Sequence, residues 1–411
     1  MDQFSTISFD NTEYAFAYKK DGALRKAHFL FSSMGKPWLI NAGLKLTPLF
    51  IKWNLPFTRA IIRSTIFSQF VGGETLQETA TVAKTLAEYH VQVILDYGVE
   101  GGDDGENGFD HATEEFIRVI NYAATQPNIP FMSVKVTGFS RFALLEKIDG
   151  MMNAEEGSLM KRYLKSVDKL SSEEKEEWHR VRVRMLRICE AAAEERIGVL
   201  IDAEETWIQD PVDALTILMM DTFNKSRVVV YNTIQLYRHD RLKFLQDSEE
   251  AATERDFILG AKLVRGAYME KERTRASEMN YPSPIQPNKQ SCDRDYDTAV
   301  LFCIEHVDRI ALIVATHNEF SNLKATELLQ QKSIPLNHPH IHFSQLYGMS
   351  DNITFNLSRA NCSVSKYLPF GPIKDVIPYL MRRAQENSSV AGQTGRELVL
   401  IEKELKRRKL K

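Results

Sequence analysis

The residues best suited to chemistry in this 411-residue chain are cations placed at or just behind short apolar runs. Lys135 follows PFMSV, Lys262 and Arg265 lie within GAKLVRGAY, and Arg382 and Arg383 stand side by side in YLMRRAQEN. Carboxylates and neutral polar groups accompany them. Asp202, Glu204 and Glu205 end GVLIDAEET, Glu386 follows the arginine pair, and Thr137, Gln235, Thr316, His317, Asn318 and Gln345 occupy comparable places. Cations drawn into a fold carry a heavy desolvation cost unless an anion meets them. The set therefore asks for an anionic ligand, either a carboxylate substrate or a phosphate-bearing cofactor, which guanidinium forks bind well. Each piece also has a plainer reading. Asp202 and Glu204 could simply neutralise nearby lysines, Arg382 and Arg383 could pair with Glu386 along a solvated helix, and His317 could be a hydrogen-bonded core histidine. Lys135 or Lys262 could instead form a Schiff base, the chemistry of a barrel aldolase or hydrolase.

The elements that must position these groups follow from periodicity. The runs 91–98, 130–138, 198–206, 228–237, 260–268, 311–318, 341–348 and 364–371 are short and rich in Val, Ile and Leu, as strands are. Between them lie amphipathic stretches such as ATEEFIRVINYAATQ and EEKEEWHRVRVRMLRICEAAAEER. Strand–helix alternation means parallel pairing, and eight units predict an α/β fold, a (βα)8 TIM-like barrel. A doubly wound sheet ranks second, because no GxGxxG follows a strand. In such a barrel the carboxyl ends of the strands share one face, which gathers the residues above at one site. The long gaps 139–197 and 269–310 are expected to be insertions. Residues 1–90 stand outside the alternation, and GALRKAHFLFSSM and SQFVGGETLQETATVAKTLAEYHV read as helices of an N-terminal arm. The expected division is a helical arm over 1–90, a barrel over 91–395 and a basic C-terminal helix over 396–411.

The net charge of −3 argues against nucleic acid as a partner. It conceals a patterned chain: from Gly22 to Gly73 there is no acid, only Arg25, Lys26, Lys36, Lys45, Lys52, Arg59 and Arg63, and the end 403–411 is strongly basic. Trp38, Phe50, Trp53 and Phe57 fall in the basic stretch, a composition suited to an anionic membrane surface, or else to packing on the barrel. The four cysteines form no CxxC pair and read as reduced thiols. The opening MDQFSTISFDNTEY carries no leader pattern, so a cytoplasmic location, peripheral at the inner membrane face, is expected. No metal is expected: His338, His340 and His342 begin a strand at the wrong end for catalysis. Asp103, Asn107, Gly108 and Glu114 match a calcium loop only partly and read as an acidic surface loop.

KLVRGAYMEKER (262–273) and YLPFGPIKDVIPYLMRRAQENSS (367–389) closely resemble signature segments of the proline dehydrogenase family of FAD-dependent barrel enzymes. LIDAEET, ATHNE and FSQLYGM resemble the same family in the same order, so the likeness spans roughly residues 90–390. KLVRGAY with the ENSS ending is more similar to the monofunctional, mitochondrial-type enzymes than to bifunctional bacterial ones, which carry RLVKGAY. The resemblance implies that Arg382, Arg383 and Lys135 grip the proline carboxylate. It makes Tyr268, Leu346 and Tyr367 the walls of the ring pocket, with Glu386 beside them, and Asp202 and Lys262 catalytic. FAD would be held by Ala203, Gln235, Arg265, Gly266, Ala267, Thr316 and His317. The implied reaction is hydride transfer from L-proline to the flavin, giving Δ1-pyrroline-5-carboxylate as the first step of proline degradation. A membrane quinone would then take the electrons and a separate pyrroline-5-carboxylate dehydrogenase the product. Oxidation of 4-hydroxyproline is the alternative substrate reading, against which the bulk of Tyr367 weighs.

Overall fold

The computed structural model describes residues 7–36, 58–98, 105–389 and 393–410. Eight parallel strands close into a barrel in sequence order: β1 (Gln92–Tyr97), β2 (Phe131–Val134), β3 (Gly198–Ile201), β4 (Val230–Gln235), β5 (Leu259–Val264), β6 (Ile310–Ala315), β7 (Ile341–Leu346) and β8 (Val364–Phe370). The strands are buried along almost their whole length, which is why they read as continuous apolar runs and not as alternating ones. Most of them end earlier than their apolar patterns do. β2 stops at Val134 and a 3-10 turn over Val136–Gly138 follows, so Lys135 and Thr137 belong to the connection and not to the strand. Asp202 and Arg265 likewise lie one residue past β3 and β5. The expected gap 139–197 holds three helices, Phe142–Asn153, Leu159–Asp168 and Ser172–Glu195. The last of these starts at a full capping box, Ser171 with Glu174, and stops at Arg196 in the left-handed region.

The chain folds as two compact units. One contains Met1–Gly98, His317–Glu319 and Phe343–Lys411. In it β8 pairs with β1, Ile94 opposite Tyr367, and with β7, Leu346 opposite Tyr367. The helix Asp21–Met34 packs on the C-terminal helix Gln393–Arg407, and Phe16, Phe31, Phe70, Leu400 and Ile401 share their apolar cluster. The other unit contains Val99–Thr316 and Phe320–His342. Its strands β2 to β6 form a continuous ladder that sets Lys262 opposite Thr233 on one side and Ile313 on the other.

Two local expectations are corrected. SQFVGGETLQETATVAKTLAEYHV is not one helix: Ser68–Phe70 ends a first segment and Leu76–Ala87 begins a second at the N-cap Thr75. The break lies at Gly72, whose N–H donates to the Pro369 carbonyl at 2.8 Å, and where a Cβ would stand 2.8 Å from Leu368. Tertiary backbone contact, open only to glycine here, overrides the helical pattern. Nor do Asn107, Gly108 and Glu114 form a loop, since all three lie in the helix Gly105–Ala124. Trp38, Phe50, Trp53 and Phe57 lie outside the described residues. Within the described part of the basic stretch, Arg63 donates to Glu74 at 2.5 Å and Glu78 at 2.8 Å, so part of that positive charge is already paired.

Candidate active site

Asp202 organises the first group of site residues. Leaving the end of β3, it accepts from the Lys262 ammonium at 2.5 Å through one oxygen and meets Lys135 at 3.4 Å through the other. The two lysine side chains are 6% and 13% exposed, and the carboxylate 12%. One acid thus meets two nearly buried cations between β2, β3 and β5. Both plainer and sharper readings of Asp202 meet in this geometry: it neutralises the lysines and fixes where they point. Glu204 does something different. Its two oxygens accept from Thr137 Oγ1 at 2.9 Å each, and burial, opposed by the charge of Lys135, pushes its carboxyl up to about 7. Its backbone is held as well, the N–H donating to Gln209 Oε1 at 3.2 Å and the carbonyl accepting from Gln235 Nε2 at 3.0 Å. Gln235 therefore supports the Asp202–Ala203–Glu204 turn.

The second group centres on Arg265. Its guanidinium donates to Asp293 at 2.8 Å, Thr316 Oγ1 at 2.7 Å and Ser321 Oγ at 2.9 Å, and lies 4.2 Å from the centre of the Tyr296 ring. Three hydrogen bonds and one ring hold this cation in place. Beside it Gly266 and Ala267 are exposed, leaving bare backbone next to a fixed positive charge. Gly266 adopts φ +125°, and a Cβ there would stand 2.5 Å from the Tyr237 ring. Tyr268 follows, half-buried, at the start of the helix Met269–Met279.

The remaining site residues belong to the first compact unit. Leu346 and Tyr367 are half-buried partners in the β7–β8 ladder. Arg382 and Arg383 lie on the helix Ile373–Ser389, Arg383 7% exposed with its guanidinium 5.2 Å from the Tyr379 ring centre. The side chain of Glu386 lies outside what is described. His317, two residues past β6, has Nδ1 2.8 Å from Ser350 Oγ.

Several residues of these networks carry no local sequence signal. Asp293 and Ser321 lie far from Arg265 in sequence, and only the fold brings them to it. Lys366 could have been noticed as a lone cation inside VSKYLPF. It is fully buried, donating to the Met349 carbonyl and lying 3.0 Å from Asp351. His342, by contrast, packs edge-on against Phe131 at 4.9 Å, and burial drives its imidazole down to about 3. Phe131 opens β2, so this histidine belongs to the amino-terminal end of the strands.

Comparison with known proteins adds an independent line. The family model described as Proline dehydrogenase matches residues 79–396. "Proline dehydrogenase 1, mitochondrial" of Dictyostelium discoideum is 32% identical over 84% of this chain, and the chain spans 65% of that protein's length. "Hydroxyproline dehydrogenase" of Xenopus laevis is 30% identical over 84% of this chain and 78% of its own. Among solved structures, proline utilization A (PutA) from Bdellovibrio bacteriovorus, inactivated by N-propargylglycine, superposes with a TM-score of 0.69 at 17% identity. That superposition covers 95% of this chain and 40% of the other.

Proposed function

The chain belongs to the proline dehydrogenase family, and on that premise we propose that it oxidises L-proline to Δ1-pyrroline-5-carboxylate with FAD as its cofactor. The observation that carries this reading is the Asp202-bridged pair of lysines, a fixed positive site that suits an amino acid carboxylate and an electron-rich ring. The residues present also fit a flavin dinucleotide. Arg265 offers a cation held in place for a diphosphate, and Gly266 and Ala267, packed on the Tyr237 ring at Gly266 but exposed, leave backbone beside that cation for such a group to approach. Gln235, Ala203, Thr316 and His317 would complete that set. When bound, FAD supplies the hydride acceptor for oxidation of the carbon–nitrogen bond.

The protein's own part is positioning and charge. By the family resemblance Arg382, Arg383 and Lys135 are each assigned to the substrate carboxylate, a bidentate anion for which paired guanidiniums are suited. Holding the carboxylate fixes which ring carbon faces the acceptor, and orientation of this kind supplies much of the rate. By the same resemblance Tyr268, Leu346, Tyr367 and Glu386 are assigned to the pyrrolidine ring. Lys262, held by Asp202, is a positive charge that would favour a flavin held beside it taking up electrons. A membrane quinone at the inner membrane face would take the electrons, and a separate pyrroline-5-carboxylate dehydrogenase the product. Among the described residues no helix is long and apolar enough to cross a membrane.

Anaerobic addition of L-proline to the purified protein tests the reading. A yellow protein whose absorbance near about 450 nm bleaches on proline supports it, as expected of a flavin accepting hydride. A protein that stays colourless after reconstitution with FAD overturns it. The likeness to a hydroxyproline dehydrogenase makes 4-hydroxyproline the comparison substrate. With Tyr367 beside the ring, kcat/KM is expected to favour proline, and a preference for 4-hydroxyproline would reverse the assignment.

A further inference from the structure

We propose that the C-terminal helix Gln393–Arg407 positions His317 for the cofactor, Glu397 setting the backbone of Ser350 and the Ser350 hydroxyl holding the His317 imidazole. This rests on the reading of His317 as a cofactor residue and extends it to residues outside every matched signature.

The geometry is continuous within one compact unit. His317 Nδ1 lies 2.8 Å from Ser350 Oγ. Ser350 precedes the helix Asp351–Arg359 and adopts a left-handed backbone, φ 49° and ψ 45°, which is uncommon outside glycine and asparagine. Something must over-determine such a conformation. The Ser350 N–H donates to Glu397, a carboxylate 5% exposed that reaches in from the C-terminal helix. A buried amide at a helix start needs an acceptor, and Glu397 supplies it. The preceding residue grips the other side of the same turn: Arg396 donates to Glu319 at 2.8 and 3.1 Å, and Glu319 also accepts from Asn352 Nδ2 at 2.8 Å. Consecutive residues of one helix therefore hold both Ser350 and the segment His317–Glu319. Burial and the charge of Asp351 push the Glu397 carboxyl up to about 7, opposed by the Ser350 N–H, Lys366 and Lys19. With Nδ1 engaged by Ser350, the rotation of the imidazole is fixed, and with it the orientation of the whole ring.

The test measures FAD dissociation from the full-length holoenzyme, together with the visible circular dichroism of the bound flavin. Ser350→Ala removes the hydroxyl and keeps the amide. Glu397→Ala removes the acceptor, and Glu397→Gln keeps an acceptor oxygen. Ser350→Ala and Glu397→Ala are each expected to weaken FAD binding about tenfold, the worth of one buried hydrogen bond, and to alter the flavin dichroism. The double variant should be little worse than either, since both act through one contact. Glu397→Gln should restore the native affinity and spectrum, which a purely electrostatic role would not predict. Native FAD affinity and dichroism in folded Ser350→Ala overturn the relay, whatever becomes of Glu397→Ala. His317→Ala separates the two levels. If it weakens FAD binding while Ser350→Ala does not, only the relay fails; if it too leaves FAD binding unchanged, the assignment of His317 fails with it.

Discussion

Asp202 and Arg383 carry opposite risks, one on stability and one on substrate affinity. Asp202 joins two nearly buried lysines, so Asp202→Ala removes a carboxylate that both meet and is expected to cost about 3–5 kcal/mol of stability. Thermal or denaturant unfolding of the purified variant measures this, and turnover of proline should fall with it. Arg383→Met removes one arm of the proposed carboxylate clamp while keeping its length. It is expected to raise KM for proline by about 10–100-fold, the range for a charge-assisted hydrogen bond, with flavin retained. An unchanged KM would remove Arg383 from the clamp. The types of residue at the site were legible in sequence, because a cation beside an apolar run asks for an anion. Their pairings were not. Nothing local in the sequence says that Lys135 and Lys262 share one carboxylate, or that Asp293 and Ser321 hold Arg265.

At the level of elements, strand ends decide function more than strand cores. β5 ends at Val264, and the chain then turns through Arg265 and Gly266, the carbonyl of Arg265 accepting from the Tyr237 N–H at 2.7 Å. Gly266→Ala forces a Cβ against the Tyr237 ring at a backbone angle of φ +125°. A loss of about 1–3 kcal/mol in stability is expected, with lowered flavin content in the purified protein, read from the ratio of visible to ultraviolet absorbance. A fully loaded, equally stable variant would show that this turn does not cradle the cofactor. The apolar runs located all eight strands, because parallel strands buried on both faces are written as continuous Val, Ile and Leu. They overran the strand ends, since an apolar pattern does not record where the last ladder hydrogen bond is made. The helix expected across Gly72 and Gly73 failed for a related reason: the bond from Gly72 to Pro369 joins residues far apart in sequence.

The whole molecule keeps an unusual set of buried acids. Burial pushes Glu204 and Glu397 up to about 7, and Asp149 moves in the same direction, through burial and the neighbouring charge of Asp210. A carboxyl raised in the folded state binds more protons there than in the unfolded chain. Its stabilising contribution is complete below the ordinary carboxylate range and is lost as pH rises through about 7. His342, held down to about 3, works in the opposite sense, but its effect is complete once pH exceeds the ordinary histidine value. Between about pH 6.5 and 8.5 the acids therefore dominate, and the unfolding temperature should fall, each raised carboxyl contributing about 1 kcal/mol. Melting curves at constant ionic strength check the slope, and Glu204→Gln should flatten it. A melting temperature that rises across this range would contradict the burial of these groups as charged-form penalties.

By itself the sequence determined the barrel, through periodicity and strand–helix alternation, and the family, through its signature segments, because these are local properties that survive reading along a line. Tertiary structure decided which carboxylate holds which lysine, that Gly72 interrupts a helix, and that Ser350 and Glu397 stand behind His317. Those facts are contacts between residues tens to hundreds of positions apart, and their energies depend on burial and distance, quantities that exist only once the chain has folded.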